Sequence, residues 1–173
     1  MAVLAEMYSV VVRVATLAAD YPGGVEAYEA DCPNATFCSD GEVCRVGFMS
    51  WADTESFLRS LQRFNIAPET GMVAVIREDK GPLQANEWLE FHRIDGTPMA
   101  RLAESTVEFF VAPPGWKPGH RNVLMTEAEL RQRELIASKG GVESYRDPST
   151  GEVLHVGRAQ FLGRKRPWWR FWN

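Results

Sequence analysis

The chain has 173 residues, 45% apolar and 24% charged, the size and make-up of one globular domain, which excludes disordered, collagen-like and disulfide-dense proteins. Its net charge of −4 is the difference between two unlike parts. Residues 158–173 carry Arg158, Arg164, Lys165, Arg166 and Arg170 and no acid, a charge of +5; residues 1–157 keep the other 14 basic side chains against all 23 acidic ones, a charge of −9.

Two parts are therefore predicted: a single acidic domain over 1–157 and a basic, tryptophan-rich tail over 158–173. The chain start lacks a basic region, and Arg13 interrupts Val10-Val11-Val12 too early for a signal peptide or a membrane span. Three cysteines, an odd number, suit a reducing compartment. A cytoplasmic protein is expected.

In chain order, the β-branched run 8–14 predicts a central strand. Tyr21-Pro22-Gly23-Gly24 is a break, and 25–31 predicts a short helix stopped by Pro33. Asp40-Gly41 predicts a two-residue hairpin turn. That turn sets Phe37 opposite Cys44 and Cys38 opposite Val43, so Cys38 and Cys44 face opposite sides of the sheet. On that register they neither bridge nor share a metal, despite the even spacing of Cys32, Cys38 and Cys44. Ser50-Trp51-Ala52-Asp53 is a capping-box pattern opening a helix to residue 64, with Phe57, Leu58, Leu61 and Phe64 as its apolar stripe.

Residues 72–76 predict a strand. Residues 88–94 and 97–103 flank Asp95-Gly96, a second hairpin, and Pro98 predicts that the returning strand lies at a sheet edge. Residues 107–112 predict a strand ended by Pro113-Pro114-Gly115. Thr126-Glu127-Ala128-Glu129 predicts a peripheral helix over 126–139, supported by Glu127–Arg131 and Glu129–Arg133 pairs and stopped by Gly140. Residues 142–156 predict a third hairpin around 147–151. The sum is an α+β fold with a mostly antiparallel sheet of about seven to nine strands and three helices.

No nucleophile elbow, phosphate loop, dinucleotide fingerprint or zinc-ligand spacing occurs, and His92, His120 and His155 are scattered. No metal, no cofactor and no catalytic residue is predicted, and an enzyme is not the favoured reading. The second hairpin carries the candidate recognition face: Trp88, Glu90, His92, Met99 and Arg101 share one side, opposite a core side of Leu89, Phe91, Ala100 and Leu102. Trp, Met and Arg are enriched in binding interfaces. In the tail, Arg166, Trp168, Trp169, Arg170 and Trp172 combine arginine with aromatic faces. Such a segment folds back on the acidic body, docks on a membrane interface or is read by a partner protein. An acidic body disfavours nucleic acid as the partner.

The acidic α+β body, its Asp-Gly hairpins, the passage from Gly47-Phe48-Met49 to Phe64 and the ending Arg166-Pro167-Trp168-Trp169-Arg170-Phe171-Trp172 resemble small uncharacterised bacterial proteins. Some of those are similar to immunity proteins of polymorphic-toxin systems. The resemblance implies a non-enzymatic protein that binds a cognate, basic toxin and blocks it. Two other readings stay open: a small-molecule-binding domain or enzyme with a pocket near Trp116 and His120, and a membrane-peripheral accessory protein using the tail.

Overall fold

A computed structural model of the chain describes residues 1–6, 8–76, 86–94, 96–106, 109–117, 127–139 and 142–157. The fold is α+β and mostly antiparallel, as predicted, but the described residues form eleven strands in three sheets and four helices. That exceeds the predicted seven to nine strands and three helices.

Strand β2 (Tyr8–Arg13) organises the centre of the molecule. It pairs antiparallel with β4 (Val43–Phe48) on one side and β5 (Met72–Ile76) on the other, and β3 (Cys38–Ser39) borders β4. The β-branched run of β2 suits a strand covered on both faces, because side chains alternate along it and every one meets a core. Val10 and Val12 join Val46, Phe48 and Met72 against helices α1 (Val14–Asp20), α2 (Gly24–Asp31) and α3 (Trp51–Gln62), which supply Leu17, Tyr28, Phe57 and Leu61. Val11 joins Val43, Val73 and Val75 on the opposite face, against a second sheet. Each of these buried aliphatic side chains contributes about 1.5–3 kcal/mol relative to exposure.

The second sheet has the order β6 (Leu89–Ile94), β7 (Thr97–Leu102), β1 (Ala2–Leu4), β8 (Phe110–Val111). Its inner residues Val3, Ala5, Leu89 and Ala100 complete the second core. Leu4 and Met99, on the outer face, are buried beside Phe110 and Trp116. Leu89, Phe91, Ala100 and Leu102 thus lie on the core side, as predicted. The β6–β7 hairpin has the predicted register, Glu90 opposite Arg101 and His92 opposite Met99. The edge placement inferred from Pro98 is corrected: β7 lies between β6 and β1. Pro98 is tolerated there because its carbonyl accepts from Ala5 N–H at 2.9 Å, and the β1–β7 ladder ends at Leu4–Met99, where no further donor is required.

The first hairpin turns one residue later than predicted. Asp40 N–H donates to Val43 O at 3.1 Å, so Gly41 and Glu42 form the turn, with Gly41 at φ +91°. The Asp40 carboxylate selects this turn by accepting from Glu42 N at 2.9 Å and Val43 N at 2.8 Å. Moving the turn by one shifts each partner by two, so Cys38 still faces one core and Cys44 the other. All three cysteines are free thiols. Burial pushes the thiols of Cys32, Cys38 and Cys44 up.

The predicted helix over 126–139 is corrected. Helix α4 spans only Glu127–Leu130, and β9 (Glu134–Lys139) follows as a strand antiparallel to β10 (Val142–Arg146), which pairs with β11 (Val153–Gly157) in the predicted third hairpin. Instead of pairing with Glu129 along a helix, Arg133 reaches Asp147 at 3.2 Å. Helix propensities differ by only tenths of a kcal/mol per residue, and a neighbouring strand's ladder outweighs them. This third sheet attaches through Met49, Leu130 and Val156.

Tyr28 provides a test of the helical layer. Its ring packs edge-on against Tyr21 with centroids 5.3 Å apart and near Phe57 at 6.1 Å, while its buried hydroxyl has no hydrogen-bond partner among the described residues. Burial raises that hydroxyl's pKa. Removing an unsatisfied buried group relieves a desolvation cost, so Tyr28→Phe is expected to raise stability by about 1 kcal/mol. An increased urea midpoint at unchanged m-value would show it.

Candidate functional site

The structure divides the predicted recognition face. Glu90 and Arg101 are brought together across the β6–β7 ladder: Arg101 donates to Glu90 Oε2 from Nη2 at 2.8 Å and from Nε at 3.2 Å, and from Nη1 to the carbonyl of Ser105. His92 Nε2 lies 3.2 Å from the same Glu90 oxygen. The hydrogen bonds from Arg101 and then His92 hold the Glu90 carboxyl below its usual range. Met99 is fully buried among Leu4, Phe110 and Trp116. Trp88, half-buried, packs toward the core between the sheets, because it precedes β6 and is free of that strand's alternation. What remains of the face is thus a half-buried polar cluster of Glu90, His92 and Arg101.

Trp116, one of the two residues named for the alternative pocket, packs inside the fold. It meets Phe110 edge-on with centroids 5.6 Å apart, and its Nε1 donates to Glu6 Oε2 at 3.3 Å. His120 lies outside the described residues, as do Arg166, Trp168, Trp169, Arg170 and Trp172.

Two features escaped the sequence reading. The first is a buried guanidinium. Arg45, on the inner face of β4, is 1% exposed. It donates from Nε to Ser9 Oγ at 3.0 Å, from Nη1 to Thr36 O at 3.1 Å and from Nη2 to Glu6 O at 2.9 Å. Burial lowers its pKa, opposed by the nearby Cys38 and Glu6, yet an arginine keeps its proton. A Cβ at Gly47 would stand 2.7 Å from Arg45 Cζ, so glycine is required where the guanidinium crosses the strand. All the polar reach of Arg45 is spent inside the fold, which makes it a brace between layers.

The second is an acidic surface. Residues 14–44 contain Asp20, Glu26, Glu29, Asp31, Asp40 and Glu42 and no Lys, Arg or His. The elements that carry them are neighbours: α1 packs on α2, and Val14 N–H donates to Glu42 O at 2.9 Å, seating the hairpin turn at the start of α1, with Asp20 at the other end of that helix. Asp20, Glu26, Glu29 and Glu42 are exposed, and among the described residues none of the four enters an ion pair. Asp31 accepts from the Tyr21 hydroxyl at 3.1 Å, and Asp40 is consumed by the turn. The signal was visible in the sequence as a 31-residue stretch without a cation.

Among the described residues no three His, Cys, Asp or Glu side chains are grouped to hold a metal, and no helix is long and apolar enough to cross a membrane. The chain matches no protein-family model, no curated protein and no solved structure.

Proposed function

We propose that this protein is a non-enzymatic, cytoplasmic binding module whose acidic surface engages a basic protein, and that neutralising a basic toxin, as an immunity protein does, is its specific task. The observation that carries this reading is the exposed quartet Asp20, Glu26, Glu29 and Glu42 on α1, α2 and the adjoining turn. Same-sign charges left without partners repel one another, and of the four only Glu26, in the first turn of α2, favours its own helix. An opposite field on a partner turns them to use, speeding encounter and rejecting acidic competitors. The Glu90–His92–Arg101 cluster on the outer sheet face is a second contact surface in this reading. Three free thiols suit the reducing compartment it assigns.

The test uses the full chain immobilised against a lysate of its host, beside the triple variant Asp20→Lys/Glu26→Lys/Glu29→Lys. The expected result is a stoichiometric basic protein, released by salt, whose association with the variant is slower by roughly 10–100-fold while the variant stays folded, with a melting temperature within a few degrees of wild type. Co-expression with the captured protein should then relieve that protein's toxicity. Retention that ignores both salt and charge reversal, or no basic protein retained, overturns the reading.

A further inference from the structure

A cavity of about 350 Å³ opens between the two central sheets, lined by Arg13, Glu87, Trp88, Leu102, Ala103 and Glu104. It lies where β2 ends at Arg13 and β7 ends at Leu102, and Ala103 N–H donates to Trp88 O at 2.9 Å to hold one lip closed. The volume is at the lower end of small-molecule sites.

Arg13 is held ready in this cavity. Its backbone N–H donates to Gly71 O at 2.8 Å, and its stem lies so close over Gly71 that a Cβ there would stand 2.9 Å from Arg13 Cδ. The guanidinium carbon sits 5.5 Å from the centre of the Trp88 ring, a cation–π contact that orients the group without using its N–H donors. Among the described residues no oxygen accepts from that guanidinium, which leaves a fork matched to a carboxylate. Glu87 and Glu104 are exposed at the same cavity, and among the described residues neither is in an ion pair. Leu102, Ala103 and the Trp88 face supply an apolar wall.

We infer that this cavity binds a small zwitterion with an apolar body, of which an apolar α-amino acid is the simplest. Its carboxylate would take Arg13, its ammonium Glu87 and Glu104, and its side chain the wall of Leu102 and Trp88. A plain anion would meet two carboxylates, a plain cation would meet Arg13, and a neutral apolar molecule would strip water from all three charges without replacing it. Only a molecule carrying both signs matches each group. The inference stands apart from the protein partner proposed above, since it rests on a different set of residues.

Calorimetric titration of the full chain with L-phenylalanine, 3-phenylpropanoate and phenethylamine separates the contributions. L-Phenylalanine is expected to saturate the protein and to bind about tenfold or more tighter than either analogue. Arg13→Gln should weaken it by about tenfold or more. Because Arg13 also packs on Gly71, melting curves accompany that variant. Glu87→Gln/Glu104→Gln changes only exposed side chains and should abolish the preference for L-phenylalanine over 3-phenylpropanoate. No saturable binding of L-phenylalanine, equal binding of an analogue, or a preference untouched by the glutamine pair would overturn the assignment.

Discussion

Arg45→Ala is expected to lower stability by about 3–5 kcal/mol. The substitution strands the carbonyl of Thr36, takes one of two partners from Glu6 O and from Ser9 Oγ, which keep their mutual bond of 2.6 Å, and leaves a void where a fully buried side chain stood. Bonds from a charged donor contribute about 1.5–3 kcal/mol each, so their loss outweighs the relief of taking a cation out of the interior. Arg45→Met keeps most of the stem volume and should fall between wild type and Arg45→Ala. Gly47→Ala pushes a methyl group into the guanidinium and should cost about 1–3 kcal/mol by itself. In the Arg45→Ala background that cost should shrink, because the obstructing atoms are gone. Urea unfolding of the four proteins closes the cycle. Equal Gly47→Ala costs in both backgrounds would show that the guanidinium is not what demands glycine.

Val3→Asp should be worse tolerated still. Val3 is fully buried in β1, paired with Ala100 on one side and Val111 on the other, and packed in the same core as Val11, Val43 and Val73. An aspartate there is either charged in an apolar interior or protonated with no partner arranged for it. The cost exceeds about 4 kcal/mol, a fall in melting temperature of roughly 10 °C or more for a chain of this length. Val3→Ala, which only removes methyl groups, should cost about 2 kcal/mol. A Val3→Asp protein that melts within a few degrees of wild type would remove β1 from the centre of its sheet.

What the sequence revealed follows the range of the interactions involved. The β6–β7 register was legible to the residue because a hairpin's register depends on its short turn and the immediate neighbours. The α3 start was legible because Ser50 caps it locally, accepting from Asp53 N at 3.2 Å. Strand β1 was not: three apolar residues have no period, and their partners are about a hundred positions away. Helix α1 was hidden because the valine run continues one residue past the strand, although Ala15, Ala18 and Ala19 are strong helix formers. Glu134–Lys139 reads as a helix in isolation and becomes a strand only because β10 lies beside it. Of the candidate surfaces, the Glu90–Arg101 pairing was readable from the turn. The burial of Trp88 between the sheets and of Met99 under Phe110 and Trp116 was not, since it depends on which layers cover each face. The acidic quartet was readable as a local absence of cations, and the Arg13 cavity only once two sheets had been stacked.

The placement of β1 also sets an order of events during synthesis. Residues 8–76 contain every strand of the central sheet and all three helices that cover it, so that half closes as soon as β5 leaves the ribosome. Strand β1 is made before that half and completed only after it, because its partners are Thr97–Leu102 and Phe110–Val111. Until they emerge, the valine-lined underside of the finished sheet waits uncovered beside an unpaired strand. Pairings over such sequence separations are slow to form and open to capture by other chains. The interval between the emergence of Ile76 and that of Val111 is therefore the chain's most vulnerable stage, and the one at which a chaperone would meet it.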